Sequence, residues 1–196
     1  MDAAAAPGTG PAVVVGLGNP GPGYERTRHN VGFLVVDELA SRGGGRFSLH
    51  KRSGADICEV RLVGRRTVLV RPRSFMNVSG APVAAVARFF SVTADDLLVV
   101  HDDLDLTLAT VRLKRGGGEG GHNGLRSITQ SLGTKDYLRV RVGIGRPPGR
   151  MDPADFVLKP FRAAERTEIE LAVVQAADAA ELLLTRSLAD AQNQVH

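Results

Sequence analysis

His29 and Asp102 are the residues of this chain best suited to hydrolytic chemistry. A histidine ring titrates near neutrality and can take a proton from water. A carboxylate behind it can fix the useful tautomer and favour the imidazolium that forms. Asn19, Asn77 and Asn123 supply side-chain amides able to donate to a developing oxyanion. No serine stands in a Gly-x-Ser-x-Gly elbow, and Cys58 lies in a β-rich run with no evident base. Water is therefore the best nucleophile available, attacking without a covalent intermediate. Each residue also has a plainer reading. Asn19 could serve a turn, Asn77 and Asn123 could cap helices, His29 could be structural, and Asp102 could cap a strand end.

The elements around these residues favour the chemical reading. Residues 13–15 form a short buried strand that runs into a glycine turn over 16–23, which carries Asn19. Helical spacing begins at Val31, just after His29, with Phe33, Val36 and Ala40 on one face. Residues 55–63 and 67–71 read as a hairpin joined at 64–66. A helix over 77–90 starts at Asn77, with Pro82 early in it, and another over 123–132 starts at Asn123. A strand over 97–100 ends at Asp102; further strands cover 110–113 and 138–144. Ile169, Val173, Ala176, Ala180 and Leu183 make the apolar stripe of a long C-terminal helix. This pattern predicts a single α/β domain over residues 12–196, with a mixed, mostly parallel twisted sheet flanked by helices. In such sheets ligands bind where strands end and helices begin, and all five polar residues fall there. Residues 1–11, rich in Ala, Gly and Pro, read as a disordered arm.

Three other motifs are less persuasive. Gly16-Leu17-Gly18-Asn19-Pro20-Gly21 matches the dinucleotide fingerprint, but Pro20 to Gly23 blocks the helix that fingerprint requires. The run at 116–121 lacks the Lys-Ser or Lys-Thr of a P-loop, although its backbone could still approach a phosphate. Asp103 and Asp105 share a strand face and could attract Mg²⁺, yet two carboxylates alone more often form a solvated turn. No metal and no cofactor are expected.

Composition is compatible with this picture. Hydrophobic residues make up 43% of the 196 residues and charged ones 23%, as in globular domains. One cysteine excludes an internal disulfide and favours a reducing compartment. The charge-free stretch over residues 3–24 holds four prolines and six glycines, so it cannot span a membrane as a helix. No basic segment followed by an apolar run opens the sequence, and a cytoplasmic location is expected. Residues 1–150 carry 21 Lys and Arg against 13 Asp and Glu, a surplus of +8, whereas 151–196 carry 4 against 8. That basic block suits a polyanion, nucleic acid above all.

The same residues carry a resemblance. Gly16 to Gly21, Tyr24, Thr27-Arg28-His29-Asn30-Val31-Gly32-Phe33, Ser74-Phe75-Met76-Asn77-Val78-Ser79-Gly80, His101-Asp102-Asp103-Leu104-Asp105-Leu106, residues 116–125 and Arg141-Val142-Gly143-Ile144-Gly145 follow one another as in bacterial peptidyl-tRNA hydrolases, which the chain closely resembles. The resemblance implies cleavage of the ester between a peptide and the 3′-terminal ribose of tRNA, recycling tRNA from peptidyl-tRNA released prematurely by ribosomes. It implies a monomer in the cytoplasm, with no cofactor, membrane or obligate protein partner. His29 takes the place of the family's base and Asp102 of its support. Asn19 takes that of the residue favouring N-blocked substrates. Tyr24, Phe75, Met76, Asn77 and Asn123 match the substrate site, and Lys114, Arg141 and neighbouring Arg112 a patch for tRNA phosphates. Two rivals are an RNA-binding module that has lost catalysis and an esterase for other aminoacyl-tRNAs. The base–acid pair speaks against the first and Asn19 against the second.

Overall fold

The computed structural model describes residues 6–196. Seven strands form one sheet in the order β2-β3-β4-β1-β5-β7-β6. They are β1 (Ala12–Gly16), β2 (Ser48–His50), β3 (Ala55–Leu62), β4 (Arg65–Pro72), β5 (Leu97–Asp103), β6 (Val111–Arg115) and β7 (Leu138–Gly143). The four inner strands, β4, β1, β5 and β7, run parallel; the outer pairings β2–β3, β3–β4 and β6–β7 are antiparallel. Six helices are α1 (Val31–Arg42), α2 (Gly80–Phe89), α3 (Asn123–Leu132), α4 (Pro153–Val157), α5 (Arg166–Thr185) and α6 (Leu188–Val195).

The run Val13-Val14-Val15 is apolar throughout because β1 is covered on both faces. Val14 packs with α1 and α5, whereas Val13 and Val15 pack with α2 and α3. The 55–71 hairpin turns on Val63 and Gly64, both at positive φ (45° and 82°), as a two-residue type I′ turn requires. The loop is therefore one residue shorter than the sequence suggested.

Helix faces deviate from expectation where backbone contacts set their rotation. The core face of α1 is Val31, Val35, Val36, Leu39 and Ala40, leaving Phe33 half-buried beside Gly18. On α5 the stripe runs through Ile169, Ala172, Ala176, Ala180 and Leu183, with Val173 at its margin. The proposed helix over 77–90 starts later. Residues Met76–Val78 form a 3-10 turn and α2 begins at Gly80, which places Pro82 in its first turn, where a proline is tolerated. Because β7 is an inner strand, Arg139 is fully buried.

One contact fixes α1 over the ends of β1 and β5. A Cβ on Gly32 would lie 2.5 Å from the Val100 carbonyl oxygen and 2.6 Å from the Leu17 nitrogen. Helix α1 thus crosses the ends of β1 and β5 backbone to backbone, which sets the residues just before it over the end of β5. At the opposite edge the chain enters β1. The first five residues of the expected arm lie outside the described residues. Farther on, Gly8 N–H donates to Asp96 Oδ1 (3.3 Å) and Gly10 O accepts from Arg65 Nε (2.9 Å). No helix among the described residues is long and apolar enough to cross a membrane.

Gly32→Ala should force α1 off the sheet and cost about 1–3 kcal/mol, as overpacking does. At this chain length that is a fall in Tm of about 2–12 °C. An unchanged thermal melt would mean that the two backbones are not in contact.

Candidate active site

Asp102 is the next-to-last residue of β5 and its side chain is 2% exposed. Its Oδ2 lies 2.8 Å from His29 Nδ1 and its Oδ1 lies 2.8 Å from His122 Nε2. His29 arrives on a 3-10 turn, Arg28–Asn30, immediately before α1. His122 is the N-cap of α3, where its Nδ1 accepts from the N–H of Gly124 at 3.1 Å. That bond leaves the ring proton on Nε2, where it is donated to Asp102. By the same logic His29 donates from Nδ1, so its Nε2 lone pair is the free end of the chain of bonds. Nε2 meets no partner among the described residues, and the ring lines a cavity of about 200 Å³.

The electrostatics follow from the geometry. Burial disfavours a charged His29 ring, but the Asp102 charge and hydrogen bond outweigh it and raise its pKa above the ordinary value. Burial likewise disfavours the Asp102 carboxylate, yet the two imidazoles hold it well below the usual range. His101, one residue earlier, is buried with its ring against that of His122, and its Nδ1 donates to the Asp102 carbonyl at 2.7 Å. Burial, with His122 nearby, pushes that ring down to about 3, so it is neutral.

Two metal readings fail on bonding. His29, Asp102 and His122 offer ligand atoms within 4.8 Å of one another. Both carboxylate oxygens already accept ring protons, however, and an ion there would have to displace both. Asp103 accepts from Arg141 Nε and from the Asp105 N–H, each at 2.8 Å, and Asp105 is paired with Arg146. These carboxylates are spent on protein donors.

The three asparagines do not cap helices. Asn19 Oδ1 accepts from the Met76 N–H at 2.7 Å, tying the β1 turn to the loop after β4. Its backbone is held by Asn30, whose side chain accepts from Asn19 N–H (2.8 Å) and donates to Asn19 O (2.9 Å). The Asn19 Nδ2 end meets no partner among the described residues. Asn77 is exposed in the 3-10 turn before α2, and Ser79 occupies the N-cap position. Asn123 is the first residue of α3 and lines the cavity, its capping duty taken by His122. Met76 is buried; Phe75 is 57% exposed and meets Tyr24 edge-to-face at 6.2 Å. Asn19 and Met76 are joined by their hydrogen bond and Tyr24 and Phe75 by their rings, and none of these four, nor the exposed Asn77, lines the cavity.

Lys114 and Arg141 line the cavity's other end, beyond the loop 116–121. Arg139 fixes that loop from below, donating to Gly118 O (2.8 Å) and Gly117 O (3.1 Å) while stacked on Tyr137. Lys114 forms no ion pair among the described residues; partial burial and then Arg139 and Arg141 lower its pKa. Lys114, Arg139 and Arg141 crowd together there, opposed by the carboxylates of Asp103 and Glu119. Arg112 stays at the sheet edge, donating to its neighbour Val111 O, and does not line the cavity.

Sequence reasoning overlooked His122, Asn30 and Arg139. His122 gave a signal, standing between a glycine run and a helix start, but histidine is not among the usual capping residues. Asn30 and Arg139 act through contacts distant in sequence that no local pattern announces.

The family described as peptidyl-tRNA hydrolase matches residues 13–196. The chain is 69% identical over 190 residues to a peptidyl-tRNA hydrolase of Nocardia farcinica, covering 97% of this chain and 98% of that one. It is 66% identical over 188 residues to one of Rhodococcus erythropolis, covering 96% and 99%. Among solved structures, the peptidyl-tRNA hydrolase of Acinetobacter baumannii is similar with a TM-score of 0.89 at 33% identity, over 95% of each chain.

The His29 ring, followed by its NMR chemical shifts, should titrate above the ordinary value of about 6.5. In Asp102→Asn the ring should titrate below it, because burial then acts unopposed. Equal titration in both proteins would remove the carboxylate as the cause.

Proposed function

This chain belongs to the peptidyl-tRNA hydrolase family and hydrolyses peptidyl-tRNA, and from that premise we propose that His29 Nε2 is the base that takes a proton from the attacking water. The observation that carries this reading is the 2.8 Å bond from His29 Nδ1 to Asp102, which aims a free Nε2 at the cavity. Water adds to the ester carbonyl carbon while its proton passes to Nε2. Asp102 stays ionised, holds the ring and offsets the imidazolium charge. Amide N–H groups of the asparagines, with the N-terminus of α3, stabilise the oxyanion. Collapse expels the ribose 3′-oxygen, which recovers the proton from the imidazolium. A peptide carboxylate and a free 3′-hydroxyl result.

Substrate choice divides between the two sides of His29. Asn19 and Asn77 meet the peptide main chain, which suits any sequence and leaves a cationic free α-amine poorly paired. Tyr24, Phe75 and Met76 supply the apolar flank. Lys114 and Arg141, with Arg112 at the edge, receive tRNA phosphates, so affinity is largely independent of tRNA sequence. The protein acts as a monomer in the cytoplasm on peptidyl-tRNA lost from ribosomes.

Purified protein should cleave N-acetyl-aminoacyl-tRNA far faster than free aminoacyl-tRNA, and His29→Ala should lose about 10²–10⁴-fold in rate. Asn19→Ala should narrow the preference for the blocked amine. Full activity of His29→Ala would end the base assignment, and an unmodified preference for free aminoacyl-tRNA would end the substrate logic. Lys114→Ala should reduce the salt slope of tRNA binding by about one unit. An unaltered slope would place the phosphates elsewhere.

A further inference from the structure

Arg28, the residue before His29, is buried to 3% exposure, and its side chain turns away from the cavity. Its Nη2 meets Glu165 Oε2 at 2.9 Å, across 137 positions of sequence. Its Nη1 donates to Pro160 O (2.7 Å) and Lys159 O (3.2 Å), and its backbone N–H donates to Lys159 O (3.0 Å). The guanidinium also lies 4.3 Å from the centre of the Phe156 ring. Phe156 belongs to α4, whose Pro153, Ala154 and Val157 form a wall of the cavity. One buried cation therefore grips both the turn that carries the base and the helix that closes the cleft beside it.

Glu165 is built to stay charged in this position. Burial opposes its ionisation, but the Arg162 N–H and the Arg28 charge outweigh burial and hold its carboxyl below the ordinary range. Neither Arg28 nor Glu165 lines the cavity, so neither reaches substrate there. Their influence must pass through His29 and α4.

We propose that the Arg28–Glu165 ion pair is a positioning device that makes the His29 turn and the α4 wall one rigid unit, so that Glu165 governs the alignment of His29 with the ester. The inference rests on the assignment of His29 as base. Misplacing a reacting group by about 1 Å costs on the order of 10²-fold in rate. The tRNA phosphates are held by cations on the far side of the cleft, so substrate affinity should survive loosening of the clamp. The expected signature is a loss in kcat with KM retained.

The test measures kcat, KM and Tm on N-acetyl-aminoacyl-tRNA for Glu165→Gln, Arg28→Lys, His29→Ala and Asp96→Asn. Glu165→Gln keeps the side-chain shape without its charge; Arg28→Lys keeps the charge without the planar fork. Both should lose at least tenfold in kcat with KM within threefold. Asp96→Asn breaks the Arg65–Asp96 pair at the opposite edge of the sheet; it should lower Tm while kcat stays within twofold. If Glu165→Gln does not fold, Arg28→Lys decides alone. A kcat within twofold of the unmodified protein in either folded clamp variant would overturn the proposal, as would an equal kcat loss in Asp96→Asn. Activity retained by His29→Ala would instead overturn the base assignment, whatever the clamp variants show.

Discussion

A carboxylate removed from water is stable only when its oxygens find donors, and Asp102 finds one imidazole for each. That requirement brings together three segments distant in sequence. β5 must extend beyond the apolar run 97–100 so that Asp102 still belongs to the strand. The turn before α1 must lie over the end of β5, which the methyl-free contact at Gly32 allows. α3 must begin with a histidine that caps its own helix through one nitrogen and serves Asp102 through the other. The His29–Asp102 pair is therefore one half of a symmetric arrangement about a single carboxylate. His29 keeps a free nitrogen toward the cavity; His122 has none to spare.

Much of this was legible in the residues themselves. The apolar run at β1, the α3 boundaries and the grouping of His29, Asp102 and Asn123 at one sheet edge follow from periodicity and from where strands give way to helices. The misreadings share a physical cause. Asn77 and Asn123 have the chemistry of caps, but a 3-10 turn before α2 and a histidine before α3 take that role. Arg139 alternates with apolar residues, and nothing local shows that β6 pairs outside β7 and that the glycine loop folds over it. β2 and α4 are too short to show a period. Arg28 sits in plain view beside His29, but its partner lies more than a hundred residues away, and only tertiary packing joins them.

Charge is arranged as carefully as hydrogen bonding. On one side of His29 the chain presents amides and apolar rings; on the other it presents Lys114 and Arg141, with Arg139 buried beneath them. Arg139 spends its guanidinium on the carbonyls of Gly117 and Gly118, so the glycine run is anchored from beneath by a cation. A loop with little intrinsic order thereby keeps a defined place between His29 and the basic end of the cleft.

His101 gives this edge of the sheet an unequal response to acid. Its ring is neutral in the folded protein down to about pH 3, while the unfolded chain would protonate it near 6.5. From about 6.5 downward the unfolded state binds a proton that the native state refuses, and native stability declines. His29 has the opposite sign: its raised pKa favours the folded state once that ring is charged. Protonation of His29 begins at higher pH than the His101 liability. Mild acid therefore charges His29 first, and only stronger acid reaches the neighbouring ring whose protonation the native structure cannot accommodate.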